Sequence, residues 1–141
     1  MFMPEARQFD FWIGSWEAFT PQGQKAGDNE IQMFADGCGL LENWTGSLGG
    51  DGKSINYYDQ NTGKWYQNWV GAGGQMMLLS GSFKDGAMRF ERESIANGVK
   101  TINYLTFYKL DEDAFRQVGE ASTDEGQTKT VTFDFKYIRK K

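Results

Sequence analysis

Histidine is absent from this chain of 141 residues, and cysteine occurs once, at Cys38. Without histidine the chain cannot build a Ser-His-Asp or Cys-His nucleophile, a histidine-ligated zinc site or a haem with a proximal histidine. A single cysteine forms no disulfide within the chain and no thiolate cage for a metal. We therefore expect neither a metal site nor a cofactor.

Proline, long apolar runs and basic clusters are also scarce. Pro4 and Pro21 lie outside the predicted strand interiors, as a sheet protein requires. No apolar run approaches the roughly 20 residues of a membrane span. Residues 1–7 lack a secretion signal, which predicts a cytoplasmic protein unless an export signal has been trimmed. The net charge of −4 and the scattered Lys and Arg argue against nucleic acid as a partner.

Aromatic residues and glycine, by contrast, are abundant. Aromatics make up 16% of the chain and there are 18 glycines, which fits tightly turning sheets better than helix bundles. Pairs such as Asp85-Gly86 and Asn97-Gly98 supply the positive φ of two-residue hairpin turns. Segments of strand length lie between the turns, near residues 15–20, 28–36, 38–47, 54–59, 64–70, 76–83, 87–95, 99–109, 114–122 and 128–139.

The spacing of these segments predicts one all-β domain over residues 1–141. It is either a sandwich or an antiparallel up-and-down β-barrel of about 8–10 strands. Only residues 4–12 are predicted to be helical, and in a barrel they would plug one end.

Alternation along the predicted strands indicates which side chains share a face. Four strands give clear sets: Leu40, Glu42 and Trp44; Trp65, Gln67 and Trp69; Met88, Phe90 and Arg92; and Val131, Phe133, Phe135, Tyr137 and Arg139. Both faces mix rings and polar groups in 54–59 and 99–109, so the inward faces there stay ambiguous. Residues 76–79 are apolar on both faces, which predicts packing on a second copy in a homodimer or on the N-terminal plug.

Several motifs resemble known families of barrels. Gly14-Ser15-Trp16, with Arg139 in the last predicted strand, resembles the lipocalin and fatty-acid-binding-protein pattern. A closer similarity covers nearly the whole chain and includes these motifs: Phe9-Asp10-Phe11-Trp12-Ile13-Gly14-Ser15-Trp16, Glu42-Asn43-Trp44-x-Gly46, Ser54-x-Asn56, Lys64-Trp65-x-Gln67-x-Trp69 and Glu120-x-Ser122-x-Asp124-x-Gly126. They resemble a bacterial family of lipocalin-like (calycin-type) β-barrels known only as a domain of unknown function.

That resemblance implies a lipocalin-like barrel and no particular reaction. It implies that Trp16 packs beneath Arg139, and we interpret both residues as structural, joined by a cation–π contact. The chain departs from the family at Lys129, where a tryptophan is expected, and at Gly71-Ala72, where an acid is common.

The inward sets contain polar groups that packing alone does not explain. Burial would raise the pKa of Glu42, which makes this residue a candidate general acid or base. The alternatives are an ion pair with Arg92 or a simple hydrogen bond to a ligand. Glu42, Arg92 and Tyr104 are also predicted to contact the ligand, and the first two would orient its polar end. Asn56, Tyr58 and Gln67 would orient a polar ligand group or bond to the barrel's own backbone. The predicted apolar wall, or a filled core if no void exists, consists of Trp44, Trp69, Phe90, Phe133 and Phe135.

These residues predict a barrel that binds a small apolar or amphipathic molecule. One alternative is a cofactor-free isomerase, cyclase or lyase, in which Glu42 is the acid or base and Tyr58 or Tyr104 assists. A second alternative is a protein-interaction barrel that uses its outer sheet and has a packed interior.

Overall fold

The chain folds into a closed antiparallel β-barrel, which a computed structural model describes for residues 3–141. Each strand pairs with the next one along the chain, and β1 pairs with β10 to close the barrel. The all-β prediction and the barrel alternative are therefore confirmed, and the sandwich is excluded. Within the described residues the strands are β1 Gly14–Phe19, β2 Lys25–Phe34, β3 Gly39–Gly46, β4 Gly52–Asp59, β5 Lys64–Gly71, β6 Met76–Lys84, β7 Ala87–Ala96, β8 Val99–Asp111, β9 Ala114–Ser122 and β10 Thr130–Arg139.

Local turn chemistry explains why the observed strand boundaries lie so close to the predicted ones. Asp85 and Gly86, between β6 and β7, have φ of 52° and 75°, and Asn97 and Gly98, between β7 and β8, have φ of 52° and 77°. Two consecutive residues in this region form the tight turn whose twist matches that of the flanking strands. The largest boundary difference is at β2, which begins at Lys25 rather than at residue 28 because the turn after Pro21 is short.

The N-terminal segment closes one end of the barrel, as predicted for residues 4–12. The prediction that no other segment is helical is wrong, because a 3₁₀ turn, Ala35–Gly37, follows β2 where positive φ angles at residues 35 and 36 end the strand. The N-terminal segment forms two short 3₁₀ helices, Pro4–Arg7 and Asp10–Trp12, which we call the plug. The Phe9 ring stacks on Trp12 at 4.5 Å between centroids and meets Phe107 edge-on at 5.0 Å. Both Phe9 and Trp12 are completely buried. Contacts of this kind add to the free energy of burying the rings themselves.

The plug is fastened to the first and last strands through Trp16 and Arg139. The Trp16 indole donates a hydrogen bond to the Trp12 carbonyl oxygen at 2.9 Å. The Arg139 guanidinium lies 4.2 Å from the Trp16 ring centroid and donates to the Ile13 carbonyl oxygen at 3.0 Å. These contacts join the plug, β1 and β10 at the closed end of the barrel.

Strand register resolves the two ambiguous segments, because directly paired residues point to the same face. Asn56 pairs with Leu40 and Gln67, so the even-numbered residues of β4 face inward. Leu105 pairs with Phe90, so the odd-numbered residues of β8 face inward.

One expectation about side-chain direction fails. The expected inward position of Val131 is wrong, because a β-bulge between Val131 and Phe133 shifts the register and leaves the Val131 side chain 56% exposed. The expectation that residues 76–79 pack on a second copy or on the plug stays a prediction, and Leu79 belongs to the same buried cluster as Phe9 and Trp12. Met77 and Leu79 line the barrel interior, whereas the Leu78 side chain is 57% exposed on the outer face.

No helix in residues 3–141 is long and apolar enough to cross a membrane.

Candidate functional site

A cavity of about 750 Å³ occupies the half of the barrel away from the plug. Its wall includes Trp44 near the end of β3, Trp69 near the end of β5 and Phe133 near the start of β10. The plug packs instead on Trp65, Phe90 and Phe107, which lie toward the opposite ends of their strands. The barrel therefore has a filled half and a hollow half.

The cavity wall is mostly apolar, with a small polar set. Its apolar members are Trp44, Trp69, Met76, Met77, Leu79, Tyr104, Leu105, Gly119, Phe133, Phe135 and Tyr137. Its polar members are Glu42, Gln67, Gln75, Arg92, Asn103, Gln117, Glu120 and Thr132. A pocket of this size, with rings for burial and a few polar groups for orientation, matches the usual make-up of small-molecule sites.

The rings of the hollow half lie against glycines of the barrel wall. A Cβ atom added at Gly119 would collide with the Phe133 ring, and one added at Gly27 would lie 2.6 Å from the Trp44 ring. A Cβ atom at Gly52 would lie 2.9 Å from the Trp69 ring. Because glycine has no side chain, each ring can pack flat on the wall instead of filling the centre. The cavity is the space that this arrangement leaves.

A directed chain of hydrogen bonds crosses β5, β4 and β3 and ends on Glu42. The Gln67 amide donates to Asn56 Oδ1 at 2.7 Å, and the Asn56 amide donates to Ser54 Oγ at 2.8 Å. Ser54 Oγ donates to Glu42 Oε1 at 2.7 Å. From β2, the Asn29 amide donates to Glu42 Oε2 at 2.8 Å. Both carboxyl oxygens of Glu42 are thereby satisfied, as a buried carboxyl requires.

The Glu42 side chain is only 5% exposed. Burial raises the pKa of its carboxyl, and the hydrogen bonds from Asn29 and Ser54 offset only part of that rise. Burial is also the main cause of the raised pKa of the neighbouring Tyr137, to which the Glu42 charge adds. The Glu42 carboxyl and the Tyr137 phenol, which both line the cavity, therefore both favour their protonated forms.

The predicted ion pair between Glu42 and Arg92 is not formed in the described part of the chain. Alternation had placed both side chains on the inner surface, and both line the cavity. The partners of Glu42, however, come from the neighbouring β2 and β4. Arg92 lies on β7, where its direct partner in register is Asn103.

Eight of the proposed ligand-contacting residues line the cavity: Glu42, Trp44, Gln67, Trp69, Arg92, Tyr104, Phe133 and Phe135. Three others lie outside its lining. Asn56 is completely buried beneath the wall and donates to Ser54 and to the Leu40 carbonyl oxygen. Tyr58 packs on Trp65 at the closed end, and Phe90 packs on Phe9 of the plug. All three side chains face inward. Tyr58 and Phe90 lie in the plugged half of the barrel, and Asn56 lies beneath the residues that line the cavity.

Tyr104 reaches the cavity from an unexpected direction. It pairs with Glu91 and Glu120, on the face of β8 opposite to Asn103. The Lys129 ammonium lies 4.0 Å from the centre of its ring. Lys129, the position where the family resemblance implies a tryptophan, therefore covers the outer side of Tyr104.

Asn103 and Gln117 also line the cavity, although neither was predicted as a site residue from the sequence. Gln117 alternates with Phe115 and Gly119 along β9, and this alternation is the sequence signal that would have indicated an inward side chain. Asn103 lies in the segment whose parity was ambiguous. In residues 3–141 no group of three or more Cys, Asp or Glu side chains is arranged to hold a metal ion.

These features define the class of structure as a closed antiparallel β-barrel with a plug at one end and a cavity in the other half. Neither a protein-family model nor a curated protein sequence matches the chain.

Proposed function

We propose that this protein binds a small, largely apolar molecule inside the hollow half of its barrel. The observation that carries the proposal is the 750 Å³ cavity with its predominantly apolar wall. That volume suits a drug-sized ligand, and burial against rings supplies about 25 cal/mol per Å² of apolar surface. A barrel that served only as an interaction surface would have no need to keep this space open.

We further propose that the barrel is lipocalin-like. The contact of Arg139 with Trp16 at 4.2 Å supports the proposal, as does the short plug at one end. The antiparallel meander of strands supports it as well. These features agree with what the sequence resemblance implies for the first and last strands.

Polar wall groups would orient the ligand. The Glu42 carboxyl and Gln67 carboxamide belong to the hydrogen-bonded chain, which holds them in fixed positions. Arg92 and Gln117 supply further polar groups on β7 and β9. Groups held by their own neighbours lose little entropy when a ligand binds, which favours selectivity.

The test uses 8-anilinonaphthalene-1-sulfonate as the probe, with two variants of β6. Met77→Trp adds a ring on the cavity side, and Leu78→Trp adds the same ring on the exposed face one residue away. We expect saturable 1:1 binding to the unmodified protein and to Leu78→Trp, and at least about tenfold weaker binding to Met77→Trp. Equal binding by all three proteins would place the probe outside the cavity and contradict the proposal.

A second candidate function is cofactor-free acid–base catalysis by Glu42. The observation that favours it is a buried carboxyl of raised pKa on the cavity wall. Asn29 Oδ1, buried without a hydrogen-bond partner in residues 3–141, would accept a hydrogen bond from the protonated Glu42 carboxyl once the Asn29 carboxamide turns over. Once a substrate is found, Glu42→Gln should abolish turnover while leaving binding within about threefold. Turnover retained by that variant would exclude Glu42 as the acid or base.

A further inference from the structure

The three carboxyl or guanidinium side chains on the cavity wall, Glu42, Glu120 and Arg92, differ in their surroundings. Glu42 has its hydrogen-bond donors in Ser54 and Asn29. Glu120 is opposite Tyr104 in the strand register and lies on the outward face of β9. The Arg92 guanidinium, half-buried in the same wall, forms no salt bridge or hydrogen bond with any side chain or carbonyl of residues 3–141. A guanidinium in such a setting offers its full set of donors to whatever enters the cavity.

Asn103 stands directly beside Arg92. The two residues are partners in the β7–β8 register, so their Cβ atoms are about 5 Å apart on the inner face. The Asn103 carboxamide likewise has no hydrogen-bond partner in the described part of the chain. A planar guanidinium binds a carboxylate through two parallel hydrogen bonds, and an adjacent amide N–H can supply a third.

A second unpartnered polar group lies deeper in the cavity. Gln117 is only 9% exposed, faces the cavity and makes no side-chain hydrogen bond within residues 3–141. Asn103 is opposite Ala121 in the strand register, and Ala121 lies four residues after Gln117 along β9. The levels of Asn103 and Gln117 in the barrel are therefore roughly 13 Å apart. The wall between these levels is apolar and includes Leu105, Gly119 and Phe133.

We infer that the ligand is an amphipathic monocarboxylate whose carboxylate is bound by Arg92 and Asn103, whose apolar body lies along the aromatic wall, and whose far end reaches Gln117. The inference rests on the proposed function and deepens it. One guanidinium matches one negative charge, which favours a carboxylate over a dianionic phosphate. The buried Gln117 carboxamide favours a far end that carries a hydroxyl or carbonyl group, because an apolar end would leave that carboxamide unpaired.

Displacement of bound 8-anilinonaphthalene-1-sulfonate by four twelve-carbon probes tests the inference on the unmodified protein. The probes are dodecanoate, 12-hydroxydodecanoate, dodecan-1-ol and dodecyltrimethylammonium. We expect 12-hydroxydodecanoate to bind most tightly and dodecanoate next. The neutral alcohol and the cation should bind roughly 10- to 100-fold more weakly than dodecanoate, as loss of a charge-assisted pair implies.

Two arginine variants on the same strand locate the carboxylate. Arg92→Gln should remove the preference for dodecanoate over dodecan-1-ol. Arg89→Gln, on the exposed face of β7, should leave that preference unchanged. Asn103→Ala should weaken dodecanoate several-fold and the alcohol little. The unmodified protein decides the question even if one variant folds poorly.

The outcomes separate this inference from the function on which it rests. Equal or tighter binding of dodecan-1-ol than of dodecanoate would overturn the carboxylate assignment and leave a cavity that binds apolar molecules. Retention of the dodecanoate preference in folded Arg92→Gln would overturn the role of Arg92. If no probe bound at all, the proposed function would fail together with the inference.

Discussion

The two halves of this barrel use the same residue types in opposite ways. In the plugged half, rings of the N-terminal segment and of the strands meet one another, as Phe9 does with Trp12 and Phe107. In the hollow half, Trp44, Trp69 and Phe133 lie against glycines of the wall. Aromatic residues thus fill one end and line the other. The difference between packing and binding here depends on the partner of each ring rather than on composition.

The hydrogen-bonded chain marks the boundary between the halves. It links Gln67, Asn56 and Ser54 to Glu42 beneath the cavity wall. Polar groups that are hydrogen-bonded in this way can be buried without a large cost, whereas unpaired ones cannot. It therefore lets polar groups face the cavity while remaining part of the core.

The largest expected difference between the halves is in stability. Phe9→Ala removes a completely buried ring from the plugged half and should lower the free energy of unfolding by about 3–5 kcal/mol. Phe133→Ala removes a half-buried ring from the hollow half and should lower it by only about 1–2 kcal/mol. Urea denaturation of both variants measures the two values. Similar losses would show that the halves do not differ in packing.

A smaller effect is expected when the hollow half is narrowed. Gly119→Ala places a methyl group where the Phe133 ring lies, so the ring must move toward the cavity. We expect binding of 8-anilinonaphthalene-1-sulfonate to weaken about tenfold, with a loss of about 1 kcal/mol in stability. Gly73→Ala is the matched control, because a Cβ atom there meets nothing within 4 Å. Unchanged binding by Gly119→Ala would mean that the probe does not use the space beside Phe133.

The smallest effect concerns the pH dependence that Glu42 gives to stability. Its folded-state pKa is raised above the ordinary value of 4.5, so the folded protein holds this proton more tightly than the unfolded chain does. As the pH rises above 4.5, Glu42 therefore costs the unmodified protein stability until its folded-state pKa is passed.

Glu42→Gln removes this contribution, so the stability of the variant relative to the unmodified protein should improve between pH 4 and pH 8. Denaturant titrations across that range give the difference at each pH, whatever constant offset the substitution adds. Glu91→Gln, on the exposed side of β7, is the control. A constant difference between Glu42→Gln and the unmodified protein would contradict the raised pKa.

The sequence predicted the barrel well because turns and alternation are local properties. Asp85-Gly86 and Asn97-Gly98 fix hairpins wherever they occur, and ring-rich alternation identifies an inner face. Alternation failed at Val131, where a bulge added one residue to the strand. Alternation also does not indicate how far along the barrel axis each side chain lies. The assignment of Glu42 and Arg92 to the inner face was therefore correct, but the predicted ion pair between them was wrong.

The hollow half could not be predicted in the same way. Whether a ring fills the centre or lies on the wall depends on which residue faces it across the sheet. Gly119 faces Phe133 only because β9 and β10 adopt one particular register. That contact depends on the bulge, for which the sequence pattern gave no signal. Asn103 and Gln117 were missed for a related reason, because their importance lies in lacking partners that only the structure reveals.

The most direct test of a filled half and a binding half is a ¹⁵N–¹H nuclear magnetic resonance titration with 8-anilinonaphthalene-1-sulfonate. The chain has five tryptophans, and their indole N–H signals report on both halves at once. We predict that the signals of Trp44 and Trp69 shift on binding while those of Trp12, Trp16 and Trp65 stay in place. Shifts confined to the plug, or to amides of the outer face around Leu78, would contradict the account.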